Sequence, residues 1–143
     1  MWQRRVNERG TALLLYPAGV MVLMVLAAIA VDFSVVRMAR QELLATAQAS
    51  ADDAVAMVDD VSLRAGDRLV IDLPRARRLV AEEFRAADLS CRAVSASADL
   101  GPRPGTLVVT ATCDVAHFFA RAIPGTPRTE RITAQAVGER VQL

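Results

Sequence analysis

The chain of 143 residues has few of the residue types on which most enzyme and metal sites depend. Its one histidine, His117, can support neither a multi-histidine metal site nor a Ser-His-Asp arrangement with a second base. Adjacent acids on predicted helices point about 100° apart, so they do not converge as a general acid and base. No glycine-rich phosphate loop occurs. We therefore expect no catalytic or metal site, no cofactor and no small-molecule substrate.

Aromatic residues make up only 4% of the chain, so a folded core has to come from Val, Leu, Ile and Ala. The net charge is +1, and no basic tract occurs beyond the N-terminus. Proteins that bind nucleic acid usually carry a basic patch or stripe. The composition therefore argues against a nucleic-acid partner.

The most informative feature is an uncharged run from Thr11 to Val31. A helix of that length rises about 31 Å, close to the hydrocarbon thickness of a bilayer. Basic residues precede the run at positions 4, 5 and 9, a bias that favours the N-terminus inside and the remainder outside. We expect a single-pass protein of the cytoplasmic membrane in contact with lipid. Residues 1–10 would be cytoplasmic and residues 11–36 would span the bilayer.

The sequence leaves three fates of the N-terminus open. The run is longer than the core of a signal peptide, which favours an uncleaved signal anchor. Signal peptidase could instead cut after Ala30, since Ala28-Ile29-Ala30 has the A-x-A pattern. A prepilin-type cut between Gly10 and Thr11 is the third, although Leu15 stands where prepilins usually carry Glu.

Past the run, apolar residues recur at steps of three and four and predict an amphipathic stalk helix over residues 37–64. Its apolar stripe consists mostly of alanines, including Ala47, Ala51 and Ala54. Alanine allows close approach but buries little area. The stripe suits packing against another long helix or against a domain of the same chain.

Residues 67–143 predict a small extracytoplasmic α+β domain. Its expected elements are strands over 68–73, 89–98, 106–115 and 131–137 and a helix over 74–87, with Asp72 as a possible cap. The fold class is thus a long transmembrane and stalk helix followed by an antiparallel sheet and one packed helix.

The two cysteines, Cys91 and Cys113, lie on the predicted strands that flank a Pro/Gly turn centred on Pro102. A hairpin with that centre places them opposite each other, within disulfide distance. The exported side of a membrane permits oxidation. We therefore predict a disulfide between them.

Asp32 ends the uncharged run at the membrane boundary, with Arg37 five residues later. Its simplest role is to stop the span. A sharper hypothesis pairs its carboxylate with an arginine of a neighbouring helix in an assembly, since acids at membrane depth are often functional.

Several segments together resemble the TadE/TadG-like proteins of the tight-adherence (Flp-type) pilus system. Glu8-Arg9-Gly10-Thr11-Ala12 resembles the opening of that family, and Val31-Asp32 resembles the aspartate that closes its apolar segment. The stretch Ala47-Gln48-Ala49-Ser50-Ala51-Asp52 resembles its Leu-Gln-x-Ala-Ala-Asp motif, in which Gln48 and Asp52 match. Residues 118–125 and 132–137 are similar to a phenylalanine-containing segment and a final strand of the family.

This resemblance implies a minor pilin-like or assembly subunit that contacts other pilus or secretion subunits by helix packing. The absence of Glu at position 15 favours an uncleaved assembly component. The rival hypothesis is an anchored or secreted module that binds a ligand outside the cell.

Overall fold

The computed structural model describes residues 8–59, 70–120 and 124–140, with side chains from Leu15 onward. Its elements are helices α1 (Glu8–Val55) and α2 (Leu73–Ala86) and strands β1 (Arg92–Leu100), β2 (Thr106–Ala116) and β3 (Thr129–Glu139). The strands form an antiparallel sheet in the order β1-β2-β3. The predicted α+β fold class, with a long N-terminal helix, an antiparallel sheet and one packed helix, is confirmed.

Helix α1 is 48 residues long and continues through Pro17, but its two halves have opposite surroundings. Every residue from Leu15 to Val31 is exposed except Ala28, which is half-buried. The helix is long and apolar enough to cross a membrane, and no residue of its most apolar stretch, near the N-terminus, is buried. The second half, from Asp32 onward, packs on β2 and β3.

The contact between α1 and the sheet is made by small side chains. Residues at steps of three and four are at most 1% exposed: Ala39, Leu43, Ala47, Ala51 and Ala54. Gly138 of β3 lies so close to α1 that a methyl group added there would collide with the backbone oxygen of Ala51. The alanine stripe therefore serves as the core of the chain's own domain, one of the two uses that the sequence left open.

The structure differs from the predicted stalk over residues 37–64. Residues 37–55 form one layer of the domain, and α1 ends at Val55. Asp52 and Asp53 lie near the negative end of the helix dipole, and the last turn has no basic residue, so nothing there favours a longer helix. The chain then turns, and Val58 forms an isolated antiparallel bridge with Ile71. Residues 60–64 of the predicted stalk lie outside the described residues.

The described part of the predicted strand 68–73 forms this isolated bridge at Ile71 and not a strand, because α2 begins at Leu73. The Asp72 carboxylate accepts a hydrogen bond from the Arg75 backbone N–H at 3.0 Å, which confirms the predicted cap. Helix α2 buries Ala76, Val80 and Phe84.

Helix side chains reach both outer strands of the sheet. Arg77 Nε donates to the Ala98 carbonyl of β1 at 2.8 Å, and Gln48 Nε2 lies 3.5 Å from the Val137 carbonyl of β3. An edge strand with free backbone groups is a template for pairing with another chain. Each of these two contacts occupies a backbone carbonyl of an outer strand, so fewer free backbone groups remain for pairing with another chain.

The disulfide Cys91–Cys113 forms as predicted, with the Cα atoms 5.9 Å apart. Its position in the hairpin differs from the prediction, because the pairs Arg92–Asp114 and Ser95–Thr112 leave two residues of β1 facing Cys113 alone. This bulge contains Ala93, which has a positive φ of 51°. The bond therefore joins the bend before β1 to the central strand. A loop of this length contributes about 3 kcal/mol in the chain-entropy model.

We predict that Ala51→Leu destabilises the domain, because the added carbons would push apart a helix and a sheet that already touch at Gly138. Overpacking of this kind costs about 1–3 kcal/mol of unfolding free energy. Chemical denaturation of the full-length chain in detergent, followed by circular dichroism, measures the change.

The matched control is Ala49→Leu, the same substitution at an exposed position two residues earlier. It should change the unfolding free energy by less than about 0.5 kcal/mol. Equal stability of the two variants would contradict the described packing.

Candidate functional site at the loop held by Asp32

The Asp32 side chain lies where α1 passes from its bare half to its packed half. Its carboxylate accepts backbone hydrogen bonds from three successive residues of the loop that follows β2. Oδ1 accepts from Phe118 at 2.8 Å and from Phe119 at 3.1 Å, and Oδ2 accepts from Phe119 at 3.1 Å and Ala120 at 2.8 Å. Asp32 is only 9% exposed. Both carboxylate oxygens are thus occupied within the chain.

This arrangement explains how a carboxylate is accommodated beside an apolar helix. Burying an unpaired charge is costly, whereas successive backbone N–H groups that point inward form a favourable site for an anion. Hydrogen bonds to an ionised acceptor are also stronger than neutral ones. The backbone N–H groups of the loop and the carboxylate of Asp32 therefore satisfy each other's hydrogen-bonding capacity. The partners of Asp32 within the chain are backbone groups 86–88 residues further along, and a pairing with an arginine of a neighbouring helix in an assembly stays a prediction.

The strands that lead into and out of this loop are joined by an ion pair and a second polar contact. Arg131 donates to Asp114 through Nε at 2.8 Å and Nη2 at 3.2 Å. This guanidinium lowers the pKa of Asp114, chiefly through the hydrogen bond. His117 Nε2 lies 3.8 Å from a carboxylate oxygen of Glu130. The end of the β2–β3 pair beside Asp32 is therefore cross-linked by polar contacts.

The same loop carries two neighbouring aromatic residues on the surface. Phe118 is 59% exposed and Phe119 is 51% exposed. Their backbones are fixed by Asp32, so the exposure of the rings does not follow from a loosely held loop. From the sequence alone these residues had no predicted role beyond the family resemblance. Two adjacent aromatics shortly after the predicted strand 106–115, in a chain with so few aromatics, are the signal that could have identified them.

A second acid of α1 holds another connection in the same way. The Glu42 carboxylate accepts a hydrogen bond from the Ser90 backbone N–H at 3.2 Å and one from the Ser90 hydroxyl. The N–H of Ser90 is used in this way, and β1 starts at Arg92 and not at the predicted position 89. The role of Glu42 was not predicted, since its partner lies 48 residues away.

The other predicted site residues do not join Asp32. Gly10 and Thr11 lie in the first turns of α1, and Ala30 is exposed on its bare half. Cleavage at either place stays a prediction. Arg37 is exposed on α1.

The two family-motif residues lie together, one helical turn apart, on the surface of α1. Gln48 Nε2 donates to Asp52 Oδ1 at 3.2 Å, in addition to its contact with the β3 carbonyl. Their described contacts are those of a helix surface beside an edge strand.

Within residues 8–59, 70–120 and 124–140, no three His, Cys, Asp or Glu side chains come together as a metal ion would require. Comparisons of the chain with protein-family models, with curated proteins and with solved structures give no match.

We predict that Asp32→Asn loosens the loop, because an amide offers one acceptor oxygen and loses the charge that strengthens the bonds. Hydrogen bonds to charged groups contribute about 1.5–3 kcal/mol each, so exchange of the Phe118, Phe119 and Ala120 amides should accelerate by more than about tenfold. Hydrogen–deuterium exchange of the full-length chain in nanodiscs measures this.

Asp53→Asn, at an exposed position of the same helix, is the matched control and should leave those amides unchanged. Wild-type exchange of the three amides in Asp32→Asn would refute the proposed clamp.

Proposed function

We propose that this chain is a membrane-anchored minor pilin-like or assembly subunit of a Tad/Flp-type pilus or a related secretion machine. The observation that carries the proposal is the continuity of α1. Its bare apolar half runs without a break into the half that forms the domain core. A protein built in this way transmits the position of its membrane helix to its exported domain without a flexible joint. That property suits a subunit that acts through helix packing and protein contacts.

The proposed orientation places the N-terminus inside the cell and the domain outside. The basic residues before the uncharged run support it by the positive-inside rule. The disulfide supports it independently, because stable disulfides are typical of oxidising compartments. The same orientation would hold for a subunit that remains in the cytoplasmic membrane and for one that is incorporated in a surface pilus.

Apolar surface on α1 continues past Asp32, where a bilayer of ordinary thickness would end. Phe33 is 70% exposed and Met38 is 60% exposed. A shallow apolar groove on this side is lined by Ala30, Val31, Ser34, Val35, Met38 and Ser90. Exposed apolar surface next to a membrane span favours contact with another protein. We propose that a helix of a neighbouring pilus or secretion subunit packs here.

One observation favours the second candidate function, an anchored or secreted binding module with no pilus role. The end of the sheet farthest from Asp32 has a groove beside the β1–β2 turn, lined by Val70, Ile71, Leu100 and residues 101–106. These lining residues include no aromatic side chain, so the groove offers no ring on which a ligand could stack. We therefore rank this function second.

The predicted consequence is that Met38→Asp reduces the number of surface filaments severalfold in the native cell. A charge in an apolar helix–helix contact is costly to bury, whereas Met38 makes no contribution to the domain core. Electron microscopy of cells that carry the variant in place of the wild-type gene provides the measurement. Immunoblots of membrane fractions establish that the variant is present and anchored.

Arg40→Asp, at an exposed position of α1 away from the face that lines the groove, should leave filament number unchanged. A photoreactive residue at Met38 should crosslink to a pilin or to a membrane-platform subunit. Normal filaments in a strain that lacks the gene would reject the pilus function. A second photoreactive residue, at Leu100, probes the groove beside the β1–β2 turn. Crosslinks from Leu100 but not from Met38 would favour the binding module.

A further inference from the structure

We infer that Phe118 and Phe119 insert into the interfacial layer of the same bilayer that α1 crosses, so that the domain holds the membrane at a second point. The inference rests on the membrane anchoring in the proposed function, but it does not depend on a role in a pilus. The proposed ligand is the lipid surface itself, at the boundary between headgroups and acyl chains.

The first step concerns the depth of the loop along the axis of α1. Side chains of a helix lean toward its N-terminus, so a residue covers the turn that precedes it. The Asp32 carboxylate therefore points back along α1, toward the apolar half. Ala28, one turn earlier on the same face, is the single residue between Leu15 and Val31 that is half-buried. The loop thus lies beside the last turn of the apolar segment.

The second step is the position of the bilayer. A hydrocarbon layer about 30 Å thick needs about 20 residues of helix. The uncharged run from Thr11 to Val31 is only just that long, between Arg9 and Asp32. The membrane boundary therefore falls within the turn that ends at Val31, and residues 32–36, which the sequence placed in the span, lie beyond it. Because the loop lies beside that turn, it meets the bilayer surface on either choice of orientation.

The third step is the chemistry of the loop at this level. Two exposed phenylalanines next to an apolar helix would present unfavourable surface to water, whereas the boundary between headgroups and acyl chains accepts apolar side chains such as the Phe and Leu of interfacial amphipathic helices. Their backbone N–H groups, which lipid could not satisfy, are bonded to Asp32. Arg37 is exposed and lies about 8 Å beyond Asp32 along the helix axis, at the level of the phosphates.

The experiment places a single tryptophan at each position of the full-length chain, in a Trp2→Phe background, and reconstitutes the variants in vesicles. Phosphatidylcholine brominated at shallow or deep acyl positions quenches a tryptophan at the matching depth. Phe118→Trp and Phe119→Trp should lose fluorescence at least about twofold with the shallow lipid, at the depth that aromatic belts occupy. Leu23→Trp reports the span, and Leu100→Trp reports the distal end of the domain.

Quenching of both loop positions no greater than that of Leu100→Trp would overturn the inference, and the phenylalanines would then face a protein or water. Quenching of Leu23→Trp together with that result would leave the anchored function standing. Absence of quenching at Leu23→Trp would overturn the anchor and this inference together. Adding Asp32→Asn to Phe118→Trp tests the clamp, because it should broaden the depth over which the lipids quench.

Discussion

The close contact between the alanine stripe of α1 and the sheet is the constraint on which the rest of the structure depends. Small side chains at steps of three and four allow the helix backbone to approach β3 until Gly138 touches the Ala51 carbonyl. One helix can then be both an apolar segment long enough to cross a membrane and a layer of the domain. In the proposed topology the domain therefore begins at the membrane surface, with no spacer, and the height of every strand above the bilayer is fixed.

Two acidic side chains of α1 also hold the segments that connect the strands and helices against this helix. Asp32 binds the loop after β2, and Glu42 binds the segment before β1. In both cases a carboxylate on the helix accepts hydrogen bonds from backbone N–H groups that lie outside the strands. The disulfide ties the same segment before β1 to the central strand. These links act where the core, which is poor in aromatic residues, provides little buried area.

Much of the fold could be predicted from sequence because local patterns determine it. The uncharged run, the Asp72 cap with Pro74 behind it, and the alternation in Thr106–Ala116 each depend on neighbouring residues. The end of α1 and the loss of the strand before α2 could not be predicted in this way, since they depend on the turn that brings Val58 to Ile71. The disulfide pairing was predicted from a register that the bulge at Ala93 changes.

The site was harder to predict than the fold, because its contacts join distant parts of the chain. Asp32 stood out as the end of an apolar run, but nothing in its neighbourhood shows that its partners are the N–H groups of residues 118–120. The alanines at 47, 51 and 54 looked equally suited to an external helix. The sheet that covers them is specified by β2 and β3, more than fifty residues later.

The most direct test of the account is the distance distribution between spin labels at Met24, in the bare half of α1, and at Gln135, on the open face of β3, measured in nanodiscs by pulsed electron paramagnetic resonance. A rigid helix shared by membrane and domain predicts one narrow distance that stays the same in detergent. A broad or divided distribution would show a joint between anchor and domain and would contradict the account.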